Sequence, residues 1–260
     1  VTVVGSSCSI PRPGRACSSY LLESATHAVV ADLGTGAFAN LRRYLEPDRI
    51  DAVVISHMHA DHFLDVVPLR YALKYGNRVR DGKLPLYLPP GGEAMLRRLV
   101  GAFAIESGDD FLGEVFDVRT FDPAATLETG DVRLRFAPTS HYVPTFALRA
   151  DVGDASVTYS ADTAPDDRVV ALARDSSAFI CEATLAPEGE RELPRGHLSA
   201  REAAKMAADA RVERLLLSHY PASADVGELE AIARSVFDGD VTVVDDGYRV
   251  SLGDARPTLF

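Results

Sequence analysis

Two β-sheets packed face to face, with helices on the outside, is the fold class the sequence predicts. Strand-like runs occur both early and late in the chain, and helical segments are interspersed in both halves. An apolar content of 47% over 260 residues is enough to bury a large core, so a single domain spanning 1–260 is expected. No short-period repeat or low-complexity linker divides it.

Val1-Thr2-Val3-Val4-Gly5 opens the chain as a strand, and further strands are expected near 18–23 and 28–33. A helix is expected near 37–45. Ala52-Val53-Val54-Ile55 is a short apolar run, the pattern of a buried strand, and leads through a loop into a helix near 63–75. A strand near 84–88 and a helix near 92–103 follow. Strands are then expected near 115–121, 132–138, 145–150 and 156–160; Val132-Arg133-Leu134-Arg135-Phe136 alternates as a half-buried strand does. A helix covers roughly 166–174, and a strand covers 178–182. The helix over 200–210 has a signed start, because Ser199-Ala200-Arg201-Glu202 fits the capping box in which serine and glutamate satisfy each other's backbone donors. The buried run Leu215-Leu216-Leu217-Ser218 places a strand at 213–218. A helix near 226–237 and short strands near 241–244 and 248–252 complete the chain.

The loop after Ile55 carries the chemistry. In Ser56-His57-Met58-His59-Ala60-Asp61-His62, three histidines and an aspartate fall within six residues. A tight loop on a rigid scaffold can re-aim neighbouring side chains, so His57 and His59 can face one ion while Asp61 and His62 face a second. Imidazole and carboxylate are zinc ligands, with manganese or iron as substitutes. A His-rich surface loop is the competing reading, and the later histidines weigh against it. His141 and His219 each follow a strand run, as does Asp162 after Val157-Thr158-Tyr159-Ser160. One histidine at a strand end is ordinarily structural; three such positions beside the cluster make a two-metal site the economical account. His27 reads as a turn residue with no role.

The net charge of −11 argues against broad adhesion to nucleic acid or anionic membrane. It does not exclude an anionic substrate, because two divalent ions would dominate the local field. Cys8, Cys17 and Cys181 form no paired framework, which points to a reducing cytoplasm. No apolar run approaches the ~20 residues of a membrane span.

With His57-x-His59-x-Asp61-His62, His141, Asp162 and His219 in order, the sequence resembles the metallo-β-lactamase superfamily over essentially its whole length. Ala31-Asp32-Leu33-Gly34-Thr35-Gly36 is similar to the family's first motif, whose acid supports the metal loop. The resemblance implies an αββα sandwich of two mixed β-sheets flanked by helices, with metals at one edge. It implies that His57, His59 and His141 hold the first of two divalent ions, and Asp61, His62 and His219 the second. Asp162 would bridge both, with zinc the expected metal. A bridging carboxylate and hydroxide can hold two cations ~3.5–4 Å apart and supply a nucleophile at neutral pH.

Ligand identity narrows the branch. His59 stands where the oxygen-reducing di-iron branch usually has a carboxylate, and Asp162 stands where true β-lactamases usually lack aspartate. Glu182-Ala183-Thr184 and Gly196-His197-Leu198-Ser199 resemble elements of the transfer-RNA 3′-processing endonucleases, ribonuclease Z. There a glutamate–histidine pair helps protonate the leaving alkoxide, so the resemblance assigns catalysis to Asp61, Glu182 and His197. A histidine near neutral pKa suits that task, and Glu182 would favour its charged form.

Two departures redirect the expected substrate. Cys181 precedes Glu182, where the processing nucleases usually carry histidine. Only twenty residues separate His141 from Asp162, too few for the protruding arm that such nucleases use to grip transfer RNA. The chain therefore resembles compact bacterial phosphodiesterases, and a small diester such as a cyclic nucleotide is expected, with extended RNA disfavoured. Transfer-RNA processing and lactone or ester hydrolysis are the alternatives. Dimerisation is common in the family, so a homodimer is compatible with the resemblance. Specificity should lie in the loops Ser6 to Cys17, after His62, and around Tyr142-Val143-Pro144. Arg15, Lys74 and Arg195 are candidate phosphate contacts, although each is more ordinarily a surface charge. Tyr142 and Tyr220 each follow a ligand histidine, and either could pack on a base, although core or rim packing is the commoner use.

Overall fold

The computed structural model describes residues 1–104, 110–187, 189 and 194–253. Strands β1 (Thr2–Gly5), β2 (Ser19–Glu23), β3 (Ala28–Ala31), β4 (Ala52–Val54), β5 (Leu84–Leu88) and β6 (Phe116–Thr120) form one sheet in sequence order. The second sheet is seven-stranded and also follows sequence order, from β7 (Leu127–Thr129) and β8 (Val132–Pro138) through β9 (Phe146–Val152) and β10 (Ala155–Tyr159) to β11 (Ala178–Glu182), β12 (Arg214–Ser218) and β13 (Asp240–Val243). Both sheets are mixed. The first is antiparallel through β3 and parallel from β3 to β6; the second is antiparallel through β10 and parallel from β10 to β13.

The central strands are apolar on both faces because both faces are covered. Val29 and Val54 meet Leu148, Val157, Ile180 and Leu216 in the core between the sheets. The alternate residues Val30 and Val53 turn outward to helices α1 (Ala37–Leu41), α3 (Val66–Tyr75) and α4 (Gly92–Gly101) through Phe38, Leu69 and Leu96. On the other side, Phe179, Leu215 and Leu217 pack on α5 (Asp167–Ala173), α6 (Ala200–Ala210) and α7 (Val226–Arg234) through Val169, Ala203, Ala207 and Leu229. The result is the αββα sandwich.

Apart from a last helix that ends at Arg234 instead of near 237 and a 3-10 turn at Pro47–Arg49, the structure differs from the sequence expectations at four places. The helix expected from 63 to 75 is two, α2 (Ala60–Phe63) and α3, because the Asp65 amide donates to Leu33 O instead of continuing the helix. Pro68 lacks an amide and would clash four residues back in a continuous helix; it is tolerated in the first turn of α3. The helix expected from 37 to 45 stops at Leu41, and the chain becomes extended at Glu46, as the residue before Pro47 prefers. The three-residue strand β7 went unforeseen because it is too short to show alternation. The segment 248–252 is not a strand: it borders β1 through Tyr248 O and Val250 N, with only Thr2 and Arg249 forming an isolated bridge.

At the start of α6, Ser199 accepts from the Glu202 amide and Glu202 accepts from the Ser199 amide, completing the capping box. The cap fixes the chain two residues after His197. Ser199→Ala should lower the stability of the protein by about 1 kcal/mol, the usual worth of such a cap, read as an earlier urea midpoint at unchanged slope.

Candidate metal centre

The candidate residues collect at one edge, beyond the C-terminal ends of the strands. Asp32 follows β3, the loop of residues 56–62 follows β4, His141 follows β8, Asp162 follows β10, Glu182 ends β11 and His219 follows β12. Strand ends are where a mixed or parallel sheet exposes loops to a ligand. The chain turns sharply there: Asp32, Ala161 and His219 have φ of 58°, 50° and 50°, the left-handed region that side chains rarely adopt. Three such residues at one edge mark backbone held in place by its surroundings.

Seven side chains form two groups that share Asp162. His59 Nδ1 lies 3.2 Å from His57 Nε2 and 3.0 Å from His141 Nε2, with Asp162 Oδ2 3.7 and 3.8 Å from the latter two nitrogens. In the second group, His62 Nε2 lies 3.5 Å from Asp61 Oδ2 and 3.4 Å from Asp162 Oδ1, and His219 Nε2 lies 3.4 and 3.5 Å from the same two oxygens. A tetrahedral ion with ligands ~2.0–2.1 Å away separates its ligand atoms by roughly 3.3 Å. Both groups match that spacing. His62 Nε2 and Asp162 Oδ1 are buried with no hydrogen-bond partner among the described residues, a costly arrangement unless an ion completes it. The donor set therefore fits divalent metal.

A second layer fixes which nitrogen four of the five ligand imidazoles present. His62 Nδ1 donates to Asp32 Oδ2 at 2.7 Å, which leaves Nε2 for the ion. Asp32 also accepts from the Ser56 amide and hydroxyl, both at 2.7 Å, and from the Tyr159 hydroxyl at 2.9 Å. The Ser56 hydroxyl, having given its proton to Asp32, accepts from His57 Nδ1 at 3.0 Å. His141 Nδ1 donates to Gly196 O at 2.8 Å, and His219 Nδ1 donates to Thr184 Oγ1 at 2.9 Å. Such outer partners orient ligands and raise their basicity.

Burial lowers the pKa of His57, His59 and His141, most strongly at His57, which favours the neutral ring that binds metal. At His62 burial also opposes charge, but Asp162 and Asp32 outweigh it and hold the pKa well above the ordinary value. An ion there must displace a proton. Burial disfavours the Asp162 carboxylate, yet His219, His62 and His57 keep it well below the usual carboxylate range.

Beside this cluster, His197 Nδ1 lies 3.1 and 3.2 Å from the two oxygens of Glu182. Glu182 is buried and held by the Thr163 amide, the Leu198 amide and the Thr184 hydroxyl. Burial works against charge on His197, but the hydrogen bond and charge of Glu182 prevail and raise its pKa. His197 Nδ1 lies 4.0 Å from Asp162 Oδ2, so the pair adjoins both metal groups.

Thus all nine site residues expected from sequence meet at one edge, and Asp61 and His62 do so from the short helix α2 rather than from loop. The candidate phosphate contacts are otherwise engaged: Arg15 with Asp245 and the Tyr220 hydroxyl, Lys74 with Glu114, and Arg195 with Glu202. Tyr220 is buried and so belongs to the core, whereas Tyr142 is exposed at the rim. His27 sits in a turn and pairs with Asp131. Sequence reasoning missed Ser56, Tyr159, Thr184 and the Gly196 carbonyl as supports. Only Thr184 carried a signal, through its place two residues after Glu182.

This fold and its edge cluster define a metallo-hydrolase of the metallo-β-lactamase superfamily, in the ribonuclease-Z-like branch. The chain belongs to that superfamily, as the family model described as "Beta-lactamase superfamily domain" matches residues 27–220. An uncharacterized protein of Mycobacterium leprae is 34% identical over 95% of this chain and 86% of its own length. The probable metallo-hydrolase YhfI of Bacillus subtilis is 28% identical over 95% of this chain and 98% of its own. The crystal structure of YhfI superposes with a TM-score of 0.84 at 27% identity, covering 95% of this chain and 96% of that one. Ribonuclease Z of Haloferax volcanii is 28% identical over 96% of this chain and 94% of its own. Among the described residues, no helix is long and apolar enough to cross a membrane.

Asp32→Asn should weaken divalent-ion affinity about 10- to 100-fold, because one oxygen that now only accepts becomes a donor amide facing His62 and Ser56. Competition with a chromophoric chelator reads this directly, and unchanged affinity would show that Asp32 does not govern the site.

Proposed function

We propose that the protein is a dinuclear phosphodiesterase acting on a small diester such as a cyclic nucleotide, with zinc as its metal. His57, His59 and His141 hold one ion, and Asp61, His62 and His219 the other, with Asp162 shared. When bound, such a pair of ions supplies an activated water and neutralises charge on the phosphate. The observation that carries the phosphodiester reading is the Glu182–His197 pair beside the shared carboxylate. Glu182 occupies His197 Nδ1, which leaves the proton on Nε2 to be given away. As the nucleophilic water oxygen bonds to phosphorus and the P–O bond breaks, that proton passes to the leaving alkoxide oxygen. With a cyclic nucleotide the ring opens, so one product carries both the phosphomonoester and the freed hydroxyl, and the proton shed by the water passes to solvent, from which His197 is reprotonated. Lactone or ester hydrolysis has no need of this donor.

Ribonuclease Z activity is the second reading, and the name of the Haloferax relative supports it. The turn between β9 and β10 weighs against it, because Gly153-Asp154 leaves no arm to grip a large RNA. The net charge of −11 weighs the same way. Three buried cysteines, all free, fit a cytoplasmic enzyme.

Protein purified without chelator should contain close to two transition-metal ions per chain, and Asp162→Ala should lose at least one of them with nearly all activity. A fully active sample with one ion per chain would refute the dinuclear model.

His197→Ala should keep its metals and lose ~10²–10⁴-fold in turnover of a cyclic nucleotide, whose alkoxide leaves poorly without a proton. Bis(p-nitrophenyl) phosphate, with a nitrophenolate leaving group, should suffer much less. Equal losses on both substrates with metals intact would make His197 a structural residue.

A further inference from the structure

Tyr142 is 59% exposed, although it stands next to His141, whose side chain is enclosed. Its ring centroid lies 5.0 Å from that of His141 and 5.9 Å from that of His197. Its hydroxyl has no hydrogen-bond partner among the described residues. Gly196 holds the ring in place: a Cβ at that position would come within 2.7 Å of His141 Nδ1 and 2.9 Å of the Tyr142 ring. No side chain other than hydrogen fits between them, so the aromatic ring is packed along one side and open to solvent on the rest. A buried tyrosine would find its stabilisation in apolar contact; this one exposes most of its ring at the mouth of the site, against the proton donor.

We propose that Tyr142 is a specificity-determining residue that stacks on the nucleobase of the substrate. The inference rests on the phosphodiesterase reading above. If His197 protonates the sugar oxygen that leaves, the base attached to that sugar is one ribose away, within reach of a ring whose centroid stands 5.9 Å from that of His197. Base–aromatic stacking tolerates any base, so the residue would select nucleotides over other diesters without distinguishing among bases. Tyr220, buried and hydrogen-bonded to Arg15 and Asp245, is not available for this role.

The test compares 3′,5′-cyclic AMP with the 3′,5′-cyclic phosphate of methyl riboside, which carries the same scissile diester and no base. Steady-state constants are measured with the metal-loaded wild type, Tyr142→Ala and Tyr142→Phe. The wild type should prefer the base-bearing substrate in kcat/KM. Tyr142→Ala should collapse that preference by roughly 5- to 100-fold, the worth of stacking one base, with the loss falling on KM. Tyr142→Phe keeps the ring and should keep the preference. A preference unchanged in Tyr142→Ala, or lost equally in Tyr142→Phe, would overturn the stacking role while leaving the phosphodiesterase reading intact. Wild-type protein that holds its metals yet cleaves neither cyclic phosphate would overturn both.

Discussion

A single buried carboxylate organises the active edge of this molecule. Asp162 directs Oδ2 toward His57 and His141 and Oδ1 toward His62 and His219, so one side chain joins two ligand groups, each of which draws residues from both sheets. Burying that charge is costly unless it is paired, and here four imidazoles surround it. The position of Asp162 therefore requires that the ends of β4, β8, β10 and β12 meet, and the sandwich is what makes them meet. The apolar layer between the sheets, from Val54 to Leu216, thus sets the spacing within each group, because each takes ligands from both sheets.

The support of this edge is rigid for a stated reason. Ligand imidazoles on loops would wander, but the rings of His57, His62, His141 and His219 bond through their second nitrogen to a group that is itself fixed. Asp32 receives four donors from Ser56, His62 and Tyr159, and Tyr159 is packed against Tyr20 at 4.6 Å between ring centroids. Gly34 contributes in a different way, because a Cβ there would fall 1.9 Å from Asp61 O. The loop after β3 can press against α2 only because that residue lacks a side chain.

Much of this was legible in the sequence, and the reason is distance along the chain. The His57-x-His59-x-Asp61-His62 cluster is local, so spacing alone reveals it, and His141, Asp162 and His219 announce themselves as polar residues ending apolar strand runs. The capping box at Ser199 was readable for the same reason. Of the second layer, Asp32 was legible through its motif, but its partners were not. Tyr159 and Asp32 are 127 residues apart, and a strand tyrosine looks the same whether it fills a core or orients a metal ligand. The Gly196 carbonyl carries no side-chain signal at all. The break between α2 and α3 was missed because apolar periodicity runs through it, while the deciding events, the Asp65 amide turning to Leu33 O and the ring of Pro68, are a tertiary contact and a single steric exclusion.

Glu182 ties the two halves of the chemistry together. One oxygen network holds His197, the candidate proton donor, and the same carboxylate accepts from the Thr184 hydroxyl, which in turn accepts from His219 Nδ1. A metal ligand and the proton donor are thereby positioned by one buried acid through one bridging hydroxyl. Asp32 has no such double duty, since its partners all lie on the ligand side. The two acids therefore differ in reach: Asp32 supports ligand residues alone, whereas Glu182 contacts both His197 and, through Thr184, the ligand His219. His197 and His219 thereby share one buried support. A shared support of this kind holds two functional groups in one relative geometry, the condition for them to act on the same bound molecule.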